Sequence, residues 1–95
     1  MAYAIYVSPT ALKDLHTAVE YYNDKSENLG YRFADLIDDY LNRIANFPIA
    51  SSIRYKNIRC KPMATFPFLI MYIVDEERKS ISILRIFNTH QEPTW

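Results

Sequence analysis

The run at residues 66–74, Phe-Pro-Phe-Leu-Ile-Met-Tyr-Ile-Val, most limits what this chain can fold into. Aromatic and β-branched side chains dominate it, and these lose rotamer freedom in a helix and suit a pleated strand. The run is also far too short to cross a bilayer as a helix, which takes about 20 apolar residues. A charged stretch follows at Asp75, Glu76, Glu77, Arg78 and Lys79, and then a second apolar run at 80–87. Two strand-like runs joined by a short polar loop predict an antiparallel hairpin. Phe66, Phe68, Ile70, Ile81 and Ile83 are its expected core residues.

Upstream, residues 3–7 read as a short strand rich in aromatic and β-branched side chains. Ser8 then fits a helix N-cap and Pro9 the first helical position, where a missing N–H costs nothing. Leu12, Leu15, Val19 and Tyr22 recur at helical spacing and predict a helix over 9–24. A polar break at 23–28 precedes a second stripe of Leu29, Phe33, Leu36, Ile37, Tyr40, Leu41 and Ile44, which Pro48 ends. The short link makes the two helices an antiparallel hairpin. Gly30, the one glycine of the chain, weakens the second helix by up to about 1 kcal/mol, and the sequence does not say what requires it. Residues 53–62 alternate as one strand, with Arg54, Lys56, Ile58 and Cys60 on one face and Tyr55, Asn57, Arg59 and Lys61 on the other. The expected fold is α+β. An N-terminal strand and an antiparallel helical hairpin precede a three-stranded antiparallel sheet, in a single domain over 1–95.

The chain is 49% hydrophobic and 15% aromatic, which argues for a packed core and against disorder. Its 11 basic and 11 acidic side chains cancel, so no global positive field draws nucleic acid. The single Cys60 cannot close an intrachain disulfide, which fits a reducing compartment. Cys60, His16 and His90 have no recognisable metal-ligand spacing. No basic segment precedes a long apolar core at the N-terminus, so a cytoplasmic protein without a membrane span is expected.

Arg54, Lys56, Arg59 and Lys61 form a basic cluster, with Arg85 on a strand that could pair nearby. Interleaved with Tyr55, they have the character of a phosphate-binding, base-stacking surface. A solvated strand with cations guarding a sheet edge explains the same residues and is the better reading of composition alone. His90 follows a strand end, where an imidazole can act as acid or base near neutral pH, though a lone loop histidine is more often simply exposed. His16 lies near the first helix's stripe and either packs or faces water. Aromatic residues in excess of one core would form a partner groove. Asp38 and Asp39 are adjacent on a helix and diverge, so they read as helix surface. No glycine-rich phosphate loop or serine-centred nucleophile motif is present.

Taken in order, the residues resemble the RelE/ParE superfamily of type II toxin–antitoxin toxins, especially the ParE-like plasmid stabilisation proteins. The marks are Val7-Ser8-Pro9 with Ala11, Asp14-Leu15, Tyr21-Tyr22, Arg32-Phe33, Ile44 and Pro48. Phe66-Pro67-Phe68 with Ile70 and Tyr72, Val74-Asp75-Glu76, Ile83-Leu84 and Ile86-Phe87 follow. The resemblance implies a small α+β toxin neutralised by a cognate antitoxin whose C-terminal segment folds over it. RelE-type members cleave mRNA in the ribosomal A site; ParE-type members inhibit DNA gyrase. The resemblance fixes no catalytic set in this chain; Arg59, Lys61, Arg85 and His90 are the candidates that remain, able to substitute only if the fold brings them together. Arg54, Lys56, Arg59, Arg85 and Gln91 are the candidate contacts to a target or nucleic acid. The chain departs from the ribonuclease pattern at Phe68-Leu69, where such enzymes carry an arginine. In the tail, Asn88 replaces the family's histidine and Gln91 an arginine. An amide does not supply an arginine's charge to a phosphate. The expectation is therefore a ParE-like toxin that binds a protein target such as gyrase. The alternatives are a RelE-like ribosome-dependent mRNA endoribonuclease, or a non-toxic protein-binding module. No cofactor or metal is implied. The resemblance allows a homo-oligomer or a toxin–antitoxin hetero-oligomer.

Overall fold

In the computed structural model, which describes residues 2–90, the elements run β1 (Ala4–Val7), α1 (Pro9–Lys25), α2 (Leu29–Asn46), β2 (Ile53–Tyr55), β3 (Ile58–Pro62), β4 (Phe68–Asp75) and β5 (Ser80–Asn88). The strands form one sheet in the order β1-β5-β4-β3-β2. β1 lies parallel to β5, and the other neighbours are antiparallel. The helical hairpin fills the crossover between the parallel pair.

Ser8 acts as expected. Its hydroxyl accepts the Ala11 N–H at 3.0 Å, capping α1, with Pro9 in the first turn. The buried stripe of α1 is Ala11 and Ala18, with Leu15, Val19 and Tyr22 packed beside them, while Leu12 is exposed. The expected stripe was thus correct at Leu15, Val19 and Tyr22 but missed the two alanines, which the close approach to the sheet and α2 demands. On α2, Phe33, Ile37, Tyr40 and Ile44 are buried, as their spacing predicts.

Gly30 is a packing glycine. A Cβ there would collide with the Val19 carbonyl oxygen and the Asn23 side chain. Its N–H donates to Asn23 Oδ1 at 2.7 Å, so α1 and α2 touch backbone to backbone.

The hairpin at 66–88 forms, and Phe68, Ile70, Tyr72, Ile81 and Ile83 are buried under the helices. Each such side chain adds about 2 kcal/mol by leaving water. Tyr22, Phe33, Phe66 and Phe68 meet edge-on or tilted, with centroids 4.8–6.2 Å apart.

Two expectations are corrected. Residues 53–62 are not one strand. Lys56 adopts a left-handed conformation (φ 51°), and a turn at Lys56-Asn57 folds the segment into the β2–β3 hairpin. The sheet therefore has four strands after the helices, and Lys56 does not share a strand face with Ile58 and Cys60. The pairing of β5 with β4 also slips between Met71 and Tyr72. Met71 opposes Arg85 and Tyr72 opposes Ile83, leaving Leu84 as an extra bulged residue. The bulge shifts the inward phase from Ile81 and Ile83 to Ile86. Phe87 then joins Cys60 and Met71 in a second cluster away from the main core.

Gly30→Ala forces the helices apart and is expected to lower unfolding free energy by about 3 kcal/mol, read by urea denaturation with an unchanged m-value. A loss below about 1 kcal/mol would mean that the hairpin opens freely at this contact.

Candidate functional site

β1 covers the edge of β5 only as far as Ile83. Beyond it, the start of α1 takes over. Ser8 N–H donates to the Ile83 carbonyl at 3.0 Å, and the Ser8 hydroxyl donates to the Leu84 carbonyl at 3.0 Å. Asp14, in the second turn of α1, accepts the Ile86 N–H at 3.0 Å. The same carboxylate receives Arg85 Nε at 2.7 Å and Arg85 Nη2 at 3.1 Å, a bidentate charge-assisted pair. This bond holds the guanidinium in its charged form, raising the Arg85 pKa against a smaller opposing effect of burial.

Between α1 and this part of β5 lies an open groove of about 620 Å³. Thr10, Lys13, Thr17 and Tyr21 line the helix side, and Phe68, Arg85, Ile86 and Asn88 the sheet side. Burial first, and the neighbouring Tyr21 phenol second, raise the Tyr22 pKa beneath this wall. The groove joins an apolar floor to exposed hydroxyl, ammonium and amide groups, a lining suited to a peptide segment.

The candidate residues do not converge. Arg59 Nη1 donates to the carbonyls of Ser51 at 2.7 Å and Ile49 at 3.4 Å, so this guanidinium closes the loop after α2. Lys61 lies over the ring of Tyr40 at 5.9 Å. Arg85 is two strands away, across β4, and bound to Asp14. The expectation that Arg85 pairs near the basic cluster is therefore corrected: β4 separates them. Arg54 is exposed on β2 and Lys56 in the turn. His90 is exposed, its N–H bonded to Asn88 Oδ1 at 2.9 Å, and His16 is exposed on α1. Gln91 lies outside the described residues. Among the described residues, no group of three or more His, Cys, Asp or Glu side chains is placed to hold a metal ion, and no helix is long and apolar enough to cross a membrane.

Sequence reasoning did not single out Asp14 as a site residue. A carboxylate beside an apolar stripe and a lone arginine amid an apolar strand are the two halves of its signal, but they lie 71 residues apart. Cys60 is buried, and burial pushes its thiol pKa up against a smaller lowering by Arg54.

Residues 5–93 match a family model described as the ParE toxin of the type II toxin–antitoxin system parDE. No curated protein sequence matches the chain. Among solved structures, the chain is similar to one in the toxin–antitoxin complex RelBE2 from Mycobacterium tuberculosis. That match has 16% identity and a TM-score of 0.66, covering 93% of this chain and 99% of the other. It is also similar to one in the chromosomal ParDE toxin–antitoxin system from P. aeruginosa. There the identity is 16% and the TM-score 0.67, covering 92% of this chain and 96% of the other. At such identity these neighbours establish the fold: two helices on a sheet, as in the RelE/ParE toxins.

Asp14→Ala strands the Arg85 guanidinium and the Ile86 N–H together, with an expected loss of about 2 kcal/mol in a denaturant titration. A double-mutant cycle with Arg85→Ala should return about 1 kcal/mol of coupling, because the pair is partly solvated. Additive single losses would show that the two groups do not communicate. For Cys60, a thiol reagent at mildly alkaline pH should react only upon unfolding, and rapid labelling of the native protein would contradict its burial.

Proposed function

The chain belongs to the ParE toxin family of type II toxin–antitoxin systems, and we propose that it acts by binding a protein target and is neutralised by a cognate antitoxin. DNA gyrase is the target class this reading names. A role in plasmid stabilisation follows from the same proposal.

One observation supports a binding mode of action over RNA cleavage. Cleaving a phosphodiester requires several cations and an acid–base pair converging on one phosphate. Here Arg59 is tethered to the Ser51 and Ile49 carbonyls, and Arg85 is neutralised by Asp14 with β4 between them. His90 is exposed at the far end of β5. The groove between α1 and β5, with Tyr21 on its wall, is the surface we assign to the antitoxin. Its volume and mixed polarity suit an extended or helical segment that orders on binding.

The purified chain is expected to inhibit gyrase supercoiling or to stabilise cleaved gyrase–DNA complexes. The product of the neighbouring reading frame should relieve that effect. Unimpaired supercoiling at micromolar excess of the chain would reject gyrase as target. Cleavage of A-site mRNA on programmed ribosomes, reduced by Arg59→Ala or His90→Ala, would move the assignment to a ribonuclease.

A further inference from the structure

The formal charge of the chain is zero, but its charges are sorted along the sequence. Between Tyr40 and Val74 lie five of the 11 cations (Arg43, Arg54, Lys56, Arg59 and Lys61) and none of the 11 acidic side chains. The same segment carries three of the most exposed large apolar side chains: Phe47 (68%), Ile49 (59%) and Ile53 (52%). Monomeric proteins seldom expose apolar groups in such concentration without a use for them.

Part of this segment frames one cavity, whereas Ile53 and Arg59 line another together with Asp75, Glu76 and Glu77. Ile53 pairs with Arg59, Arg59 with Tyr72 and Lys61 with Ile70, so Ile53, Arg59 and Lys61 lie on the helix side of the sheet with the buried Tyr72 and Ile70. There, the end of α2 and the loop after it frame a cavity of about 440 Å³, lined by Arg43, Ile44, Phe47, Ala50, Ser51 and Lys61. Arg43 and Lys61 both sit over the Tyr40 ring, at 5.2 and 5.9 Å from its centroid, and among the described residues neither pairs with a carboxylate. Tyr40 is itself held, its hydroxyl accepting the Ala64 N–H at 2.9 Å. Two cations are thus fixed at the rim of an apolar hollow whose outer lip is Phe47.

We propose that this hollow is a docking site for an acidic segment of a partner protein, one apolar or aromatic side chain entering against Phe47 and Ala50 while flanking carboxylates meet Arg43 and Lys61. Charge complementarity selects an anionic partner. The apolar wall selects a protein over a nucleic acid, since a sugar–phosphate backbone would leave Phe47 and Ile49 wet. Arg59, the cation best placed on β3 to add a phosphate contact, is occupied by loop carbonyls. The site lies apart from the α1–β5 groove and goes beyond the gyrase reading, standing whichever target the toxin has.

The test uses the full chain, isotope-labelled, and a short peptide carrying one tryptophan between glutamates. The expected result is amide shifts confined to residues 43–51 and 61. A glutamine-for-glutamate peptide should bind at least about tenfold more weakly, and added salt should weaken the glutamate peptide. Phe47→Ser and the double variant Arg43→Glu/Lys61→Glu should each weaken binding about tenfold, and Phe47→Ser should leave the thermal midpoint in place because that side chain is 68% exposed. The proposal is overturned by an absence of binding, by shifts along the α1–β5 groove instead, or by equal affinity for the two peptides. It is also overturned if the double variant binds as well as the parent chain. A uridine oligonucleotide that occupies the same amides more tightly than the peptide would make this face a nucleic-acid site.

Discussion

Asp14 joins the two layers of this protein by accepting three hydrogen bonds from adjacent residues of one strand. Strict alternation along β5 would place Ile81, Ile83, Arg85 and Phe87 on one face and drive a guanidinium under the helices. The bulge at Leu84 advances the phase by one residue, turning Ile86 inward and releasing Arg85. That shift leaves the Ile86 amide and the Arg85 guanidinium at an edge that β1 no longer covers. Asp14 takes both. The phase of the strand, the start of α1 and the seat of the helical layer are therefore one coupled arrangement. With the Arg85 and Asp14 side chains 36% and 17% exposed, solvent screens their attraction, so its value lies more in fixing register than in net stability.

The same logic decides what the basic residues are free to do. A guanidinium bound to two backbone carbonyls, as Arg59 is, closes a loop and presents few donors outward. Arg85 is likewise committed. Between Tyr40 and Val74, the cations left for a partner are those without such duties: Arg43 and Lys61 at the Tyr40 ring, and Arg54 and Lys56 at the β2–β3 hairpin. The family model is that of the ParE toxins, and the fold is the one these share with the RelE toxins. The architecture explains why a chain with so many basic residues close in sequence need not gather them around a phosphate.

Most of the fold was legible because it rests on local periods. The α2 stripe, the Ser8-Pro9 helix start and the 66–88 hairpin each show within one short, continuous stretch of chain. What was not legible is non-local or lacks a residue signature. The β2–β3 turn uses Lys56 in a left-handed conformation, with none of the glycines that usually mark a two-residue hairpin. The parallel pairing of β1 with β5 joins the two ends of the chain. The bulge leaves a trace only in retrospect, in the spacing of Ile81, Ile83 and Ile86. Of the candidate site residues, composition identified the cations correctly as types. Their separation by β4, and the pairing of Arg85 with Asp14, depend on topology that no spacing reports.

Gly30 connects this architecture to the exposed surface. Because it lacks a Cβ, α1 and α2 meet at backbone contact near position 30, and helices packed this closely have axes about 8 Å apart. Two helices about 10 Å thick at that separation cover about 18 Å. Five strands at about 4.8 Å spacing occupy about 24 Å. The helical layer is thus narrower than the sheet by roughly one strand. The shortfall falls at β2 and the outer part of β3, where Ile53 stays exposed and Arg59 and Lys61 are only half-buried. A bulkier residue at position 30 would widen the layer only by breaking the contact that holds it together. The exposure at this edge of the sheet, where Ile53 and Arg59 adjoin Asp75, Glu76 and Glu77, is therefore a consequence of how the helices pack.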